Sequence, residues 1–284
     1  MKVQEALREA GHRLAASGVP NPAWDAELLL LHVLGWDRAQ LLTRLGETLP
    51  QEAEPQYADL VAIRAQRKPL QHITKKQAFW RHEFDVSPDV LIPRPETEIL
   101  VEAALARIEG LAAPLVVDVG TGSGCIAISI ACERPDAQVH ATDVSPAALS
   151  VARRNAERLG CPDHVHFHAG DLLAPVASLV GTVDLVISNP PYVDSGTAAM
   201  LAPEVRDHEP AVALFPDGPA DSVYRRLIPG AWPALRRGGW LLLEIGLGMA
   251  GDVARLCANA GFVTDVPLND LSGIPRVVLA RKAP

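Results

Sequence analysis

Apolar residues recur at helical spacing through the first quarter of the chain. Val3, Ala6, Leu7, Ala10 and Leu14 mark one amphipathic stripe. A break at Gly18-Val19-Pro20-Asn21-Pro22 is followed by a second stripe, Ala26, Leu28, Leu29, Leu30 and Val33, closed by Gly35. Asp37 is placed to cap a third helix carrying Leu41 and Leu42, and Pro50 opens a fourth through Tyr57, Leu60, Val61 and Ile63. Residues 1–70 therefore read as a small helical bundle, with no cluster suited to catalysis. Lys68-Pro69 ends it. Residues 71–92 change character, and Phe79-Trp80 with Phe84-Asp85-Val86 predicts a short hairpin or linker.

From residue 93 the pattern becomes short apolar runs separated by helical stretches. Runs at 115–119, 139–143, 165–169, 183–188 and 240–245 have the length and composition of buried parallel strands. Two further runs, 262–267 and 276–281, are joined by a short connection and predict a terminal hairpin, hence one antiparallel strand. The fold class expected is α/β, with helices on both faces of the sheet, preceded by the all-helical domain.

Composition narrows the setting. Of 284 residues, 48% are hydrophobic and 21% charged, as in a chain that buries a substantial core. No apolar run approaches the ~18 residues of a membrane span, and the charged Met1-Lys2-Val3-Gln4-Glu5 start is not a signal peptide. The net charge of -8 argues against a general nucleic-acid binder. One strip departs from that balance: Arg64, Arg67, Lys68, Lys75, Lys76 and Arg81 occur with no acid among them. It reads as a solvated helix face and hairpin or, less simply, as a surface for an anionic partner. Cys125, Cys132, Cys161 and Cys257 lack C-x-x-C spacing and point to reduced thiols in a cytoplasmic protein.

Candidate chemistry gathers at the carboxyl ends of the predicted strands, where open α/β sheets bind ligands. The run 183–188 leads into Asn189-Pro190-Pro191-Tyr192. The prolines hold Asn189 extended and leave backbone carbonyls free. The Asn189 side-chain oxygen and the Pro190 carbonyl form a pair of acceptors for a planar N–H₂ group, and Tyr192 offers a ring to stack on it. That arrangement suits methylation of a delocalised, poorly nucleophilic nitrogen by positioning rather than by acid–base work. Upstream, 115–119 runs into Gly120-Thr121-Gly122-Ser123-Gly124. This G-x-G-x-G loop differs from the dinucleotide G-x-G-x-x-G and favours a ligand without a pyrophosphate. Asp143 ends the next strand about 20 residues on, where ribose hydroxyls are held, and Ser145-Pro146 supplies the following helix with its own cap. Asp171 and Leu172, after the third strand, are candidates for an adenine edge and face.

Other features carry weaker chemistry. Arg94, in the stiff stretch 91–98, is placed to roof a cofactor pocket, although these residues also read simply as a helix start. Glu244 ends a buried strand. His164, His166 and His168 alternate on one strand face without a partner spaced to complete a metal site. The long stretch 193–219 has the length of a functional lid. Its Asp207, His208 and Glu209 lack a nearby nucleophile, which argues against hydrolysis.

Taken together, the glycine loop, Asp143, Asp171 and Asn189-Pro190-Pro191-Tyr192 resemble the class I S-adenosylmethionine-dependent methyltransferases. The stretch Leu91-Ile92-Pro93-Arg94-Pro95-Glu96-Thr97-Glu98, the closing Asp270-Leu271-Ser272-Gly273-Ile274-Pro275-Arg276 and the helical N-terminal domain narrow the likeness. The chain is similar to the peptide chain release factor glutamine N5-methyltransferases, the HemK/PrmC family, over essentially its whole length.

The resemblance implies a seven-stranded Rossmann-like sheet in residues 93–284. It implies methyl transfer from S-adenosyl-L-methionine, with S-adenosyl-L-homocysteine as product and no metal, to the glutamine of the Gly-Gly-Gln loop of class I release factors. Gly120, Thr121, Gly122, Ser123 and Gly124 then match the cofactor's methionine site, Asp143 the ribose and Asp171 with Leu172 the adenine. Asn189, Pro190, Pro191 and Tyr192 match the glutamine site, and residues 1–70 the docking domain. No membrane and no direct DNA contact are expected. Rival readings are a glutamine methyltransferase acting on a ribosomal protein, a DNA adenine-N6 methyltransferase and a non-enzymatic scaffold. One departure from the family pattern is visible: His72 stands where an aromatic is usual and Lys75 where a glycine is usual, which is unfavourable for Lys75 if its φ is positive.

Overall fold

The computed structural model describes residues 1–284. Five helices come first: α1 (Val3–Ala16), α2 (Pro22–Leu34), α3 (Arg38–Thr43), α4 (Ala53–Ala65) and α5 (Leu70–Thr74). A two-stranded hairpin follows, β1 (Lys76–Phe79) and β2 (His82–Asp85), then α6 (Thr97–Ile108). The alternating part runs β3 (Leu115–Val119), α7 (Cys125–Glu133), β4 (Gln138–Asp143), α8 (Pro146–Arg158), β5 (Val165–Ala169) and β6 (Val183–Ser188). It continues with α9 (Pro203–Arg206), α10 (Ala211–Leu214), α11 (Ser222–Ala234), β7 (Leu235–Glu244) and α12 (Ala250–Asn259). It closes with β8 (Val263–Thr264), β9 (Leu268–Asn269) and β10 (Pro275–Arg281). The chain divides into a unit of residues 1–76 with 201–208 and a unit of residues 77–200 with 209–284.

In the helical unit, Val3, Ala6, Ala10 and Leu14 of α1 are buried with Ala26, Leu29 and Leu30 of α2 and with Tyr57 and Val61 of α4. Asp37 caps α3 as its position predicts, accepting from the Gln40 N–H at 2.7 Å while the Gln40 side chain accepts from the Asp37 N–H. The basic strip is neither simply solvated nor simply free for a partner. Arg64 is buried, pairs with Asp25 at 2.7 Å and reaches Glu204 at 3.0 Å. Arg67 grips the same Glu204 through two bonds, 2.7 and 2.6 Å. A guanidinium fork of that kind is the stronger type of ion pair. Lys75 sits at φ 61°, the left-handed C-cap of α5, so the departure noted in the sequence falls on a conformation that disfavours a side chain.

The α/β unit is built on a sheet of order β5-β4-β3-β6-β7-β10-β8, with β9 also on β10. All neighbours from β5 to β7 are parallel, and β10 is antiparallel to β7, β8 and β9. Of the expected strand 262–267 only Val263–Thr264 pairs, as β8, and β9 (Leu268–Asn269) forms within the stretch expected to connect the last two strands. The chain reverses direction in winding between β3 and β6, which makes their carboxyl ends the topological switch point. Register Val119↔Ser188 brings those ends level, and the buried Ser188 hydroxyl donates to the Val119 carbonyl at 2.7 Å, clipping them together.

Strand β7 begins before Gly238-Gly239 rather than after them. Its pairing with β6 jumps from Val183↔Leu235 to Leu185↔Trp240, so the extra residues form a bulge. A Cβ on Gly239 would lie 3.0 Å from the Val183 carbonyl oxygen, so only glycine fits that close approach. Two apolar layers cover the sheet. One joins Leu100, Val101 and Ala104 of α6 with Ile126, Ile128 and Ile130 of α7, and the other joins Leu227 and Ile228 of α11 with Val253 and Cys257 of α12. The four cysteines are free thiols.

Candidate active site

A cavity of ≈ 260 Å³ opens at the switch point. Its lining brings together Gly120, Asp143, Asp171, Leu172, Asn189, Pro190 and Pro191, residues drawn from the ends of four strands. The opposite wall comes from the long stretch after Tyr192, through Val212, Phe215 and Asp217.

Two of the loop's glycines face open space and the third is packed. Gly120 and Gly122 have φ of 75° and 56°, and a Cβ on either would project into open space. Gly124 is different: a Cβ there would lie 2.7 Å from Ile128 Cδ1 and 3.1 Å from Ala152 Cβ, so this glycine lets α7 and α8 close on the loop. The Thr121 and Ser123 side chains are buried beneath the turn, and the Thr121 hydroxyl donates to Asp118 at 2.7 Å. Burial pushes the Asp118 carboxyl up to about 7, against the pull of that bond. A residue that sequence reasoning passed over fixes the loop from behind. The fully buried Asn155 of α8 donates to the Ser123 carbonyl at 2.9 Å and to the Asp85 carbonyl at 3.0 Å, and it accepts from the Asp85 N–H at 2.7 Å.

Asp143 performs two tasks. Its carboxylate accepts from the Gly122 N–H at 2.9 Å and the Ser145 N–H at 2.8 Å, so it braces the loop and the start of α8. Ser145 itself caps α8 by accepting from the Ala148 N–H at 3.1 Å. Burial raises the Asp143 carboxyl, and these N–H groups pull it back. It still lines the cavity, with acceptor capacity for a pair of hydroxyl donors. Asp171 is half exposed and paired with Arg226, a cavity-lining residue that no motif marks. Leu172 takes φ 49°, an uncommon left-handed value for a branched side chain, and turns the chain over the cavity. Open space above the glycines, an acid at the end of β4 and an apolar face at Leu172 fit, in that order, the amino-acid chain, the sugar and the base of an adenosyl sulfonium.

At the end of β6 the wall is held by side chains from distant parts of the chain. The Asn189 side-chain N–H donates to the buried Thr97 hydroxyl at 3.2 Å, in the first turn of α6. Tyr192 does not line the cavity. Its ring packs on Gly246, where a Cβ would meet it at 2.9 Å, and its hydroxyl donates to Glu244 at 3.3 Å. Glu244 is 2% exposed, and burial lifts its carboxyl to about 7. Burial, then the charge of Glu244, raises the Tyr192 phenol, which stays protonated and remains a donor. Arg94 pairs with the buried Glu209, whose other oxygen accepts from the Ile92 N–H at 3.1 Å. Arg94 thus ties the 91–96 stretch to the long stretch after Tyr192 and does not itself line the cavity. The triplet 207–209 is split in role as well: Asp207 pairs with its neighbour Arg206.

The histidine face is redrawn by the structure. His164 lies outside β5, while His166 and His168 share a face with His140 of β4. The His140 and His168 rings stack with their nitrogens 2.9 Å apart. Burial first, then its two neighbours, lowers His140 to about 4.

Residues 5–74 match the family model described as the PrmC N-terminal domain, and residues 95–218 match the methyltransferase small domain. The chain is 46% identical over 281 residues to the release factor glutamine methyltransferase of Cereibacter sphaeroides, covering 99% of each chain. It is 41% identical to the protein of the same name from Koribacter versatilis, again over 99% of each. Among solved structures, a methyltransferase from Pyrococcus furiosus shares the fold at a TM-score of 0.52 and 17% identity, covering 75% of this chain and 94% of that one.

Proposed function

This chain belongs to the release factor glutamine methyltransferases, and from that premise we propose that it methylates the side-chain amide nitrogen (N5) of the glutamine in the Gly-Gly-Gln segment of a class I peptide chain release factor. The observation that carries the reading is the meeting of Asn189 and Pro190 with Gly120, Asp143 and Leu172 around one cavity. When bound, S-adenosyl-L-methionine supplies an electrophilic methyl group on a cationic sulfur.

The chain's own residues supply the rest. The open face of the glycine loop receives the amino-acid part, Asp143 accepts from the ribose hydroxyls, and Leu172 packs on the base beside Asp171. The acceptor glutamine is held by its two N–H bonds, one to the Asn189 side-chain oxygen and one to the Pro190 carbonyl. Those acceptors favour the more pyramidal nitrogen whose lone pair attacks, and they fix its line of approach. No base is required before transfer, because the proton leaves after the nitrogen has gained its methyl group.

The test incubates the protein with labelled cofactor and, separately, a class I release factor, the same factor with its Gly-Gly-Gln glutamine changed to glutamate, a ribosomal protein and duplex DNA. Label on the first alone supports the reading. Label on the ribosomal protein or on DNA instead would overturn it.

A further inference from the structure

We propose that Cys132 and Cys161 are a modification site: hydrogen peroxide oxidises them to a reversible intrachain disulfide that staples the ends of α7 and α8. Their sulfurs lie 3.6 Å apart, although the residues are 29 apart in the chain. A disulfide holds its sulfurs about 2.05 Å apart, so the pair has about 1.5 Å to close. Neither cysteine sits on a loose segment. Cys132 lies in the last turn of α7. Cys161 is fixed by the signal that stops α8. Gly160 takes φ 78°, and the Cys161 N–H donates back to the Ala156 carbonyl at 3.0 Å, the closing bond of a helix that ends on a left-handed glycine. The His164 N–H then donates to the Cys161 carbonyl at 3.3 Å. The turn at Gly160 thus sets Cys161 against α7.

The pair is asymmetric in the way the chemistry needs. Cys132 is partly exposed and Cys161 is buried, so peroxide reaches Cys132 first. Once Cys132 has lost its proton, the Cys161 S–H donates to it. That bond holds the Cys132 thiol below its ordinary value, against burial and the charge of Glu133. The same bond, then burial, raises Cys161, which keeps its proton. In the first step a lone pair of the Cys132 thiolate attacks one peroxide oxygen and the O–O bond breaks. The departing hydroxide takes a proton and leaves as water, and Cys132 carries a sulfenic acid. In the second step the Cys161 sulfur attacks the Cys132 sulfur. The S–O bond breaks, the hydroxide leaves with the Cys161 proton as water, and the S–S bond forms. Two thiols and one peroxide give one disulfide and two waters, with two electrons passing from sulfur to peroxide. Cys161 so intercepts the sulfenic acid before further oxidation. Cys125 and Cys257 are the internal controls: both are buried, and burial pushes each up to about 12. Both helices start beside the cavity, at the carboxyl ends of β3 and β4, and the staple joins their far ends.

The test treats the full chain with hydrogen peroxide, removes the excess with catalase and counts free thiols in denaturant. The count should fall from four to two, leaving Cys125 and Cys257. Peptide mapping should find Cys132 joined to Cys161, and dithiothreitol should restore all four thiols. The oxidised chain should melt about 5 °C above the reduced one. Cys161→Ser should accumulate a Cys132 sulfenic acid that dimedone traps, and Cys132→Ser should keep its remaining thiols through the same treatment. Should the serine at the buried position unfold the chain, Cys161→Ala removes the same thiol and is read by the same criteria. Four thiols surviving the treatment, a disulfide on another pair or between two chains, or loss of thiols from Cys132→Ser as fast as from the parent would overturn the proposal. So would a joined pair with no rise in melting temperature, since the helix ends would then not be stapled.

Discussion

The two halves of the cavity are built by different means. On the β3–β4–β5 side the working parts are backbone and short-range: three glycines in one turn, an acid closing the adjacent strand, a left-handed leucine after the next. On the β6–β7 side the lining side chain Asn189 is held by a partner far away in sequence, Thr97, and two residues outside the lining are tied in the same way, Tyr192 to Glu244 and Arg94 to Glu209. The first half offers a shape that tolerates many small losses. The second offers a direction, and a direction fails when one link fails. Substitutions on the acceptor side should therefore cut the rate with product binding intact, and those on the glycine side should weaken binding first.

The largest effect tests that contrast at its sharpest point. Asn189→Ala should lower the single-turnover rate by about 100- to 1,000-fold, while S-adenosyl-L-homocysteine affinity measured by calorimetry changes little. An equal loss in both would erase the distinction between the halves. Glu209→Ala leaves Arg94 unpaired and frees the Ile92 N–H, so the 91–96 stretch should loosen. A stability loss of about 3 kcal/mol by urea unfolding is expected together with a raised KM for the release factor.

On the other side, Gly124→Ala forces a Cβ against Ile128 and Ala152 at φ 82°. It should cost about 2 kcal/mol and weaken product binding, with kcat at saturating cofactor kept near the parent's. The smallest effect lies outside the cavity. His140 binds its proton less readily folded than unfolded, its value falling from 6.5 to about 4 through burial and its histidine neighbours. Its contribution is complete above pH ~6.5 and is lost as the pH falls toward about 4. His140→Gln should accordingly flatten that part of the acid limb of a Tm-against-pH curve, relative to the parent.

The same division explains what could be read from the chain. The helical bundle and the alternating strands follow from apolar periodicity, and Asp37, Ser145 and Gly35 mark helix ends where local chemistry demands them. The glycine loop, Asp143 and Asn189 also announce themselves, because each is a backbone or strand-end requirement written within a few residues. Thr97, Asn155, Glu209 and Arg226 do not. A threonine in a first helical turn, an asparagine on a helix face or a glutamate in a proline-rich stretch has an ordinary local role. Only the sheet's folding shows that Thr97 backs Asn189, that Asn155 carries the Ser123 carbonyl and that Glu209 anchors Arg94. The strip of arginines misled for the same reason: the acids that satisfy Arg64 and Arg67, Asp25 and Glu204, lie far from them in sequence. The bulge at Gly238-Gly239 was hidden as well, since two glycines before an apolar run look like a strand's start rather than its interior.

The most direct test is a crystal structure of the protein with S-adenosyl-L-homocysteine and a Gly-Gly-Gln peptide. The account predicts the glutamine amide nitrogen bonded to the Asn189 side-chain oxygen and the Pro190 carbonyl, within about 4 Å of the product's sulfur and with the adenosine over Asp143 and Leu172. A glutamine seated elsewhere, or an Asn189 carboxamide turned with its N–H toward the peptide, would contradict it.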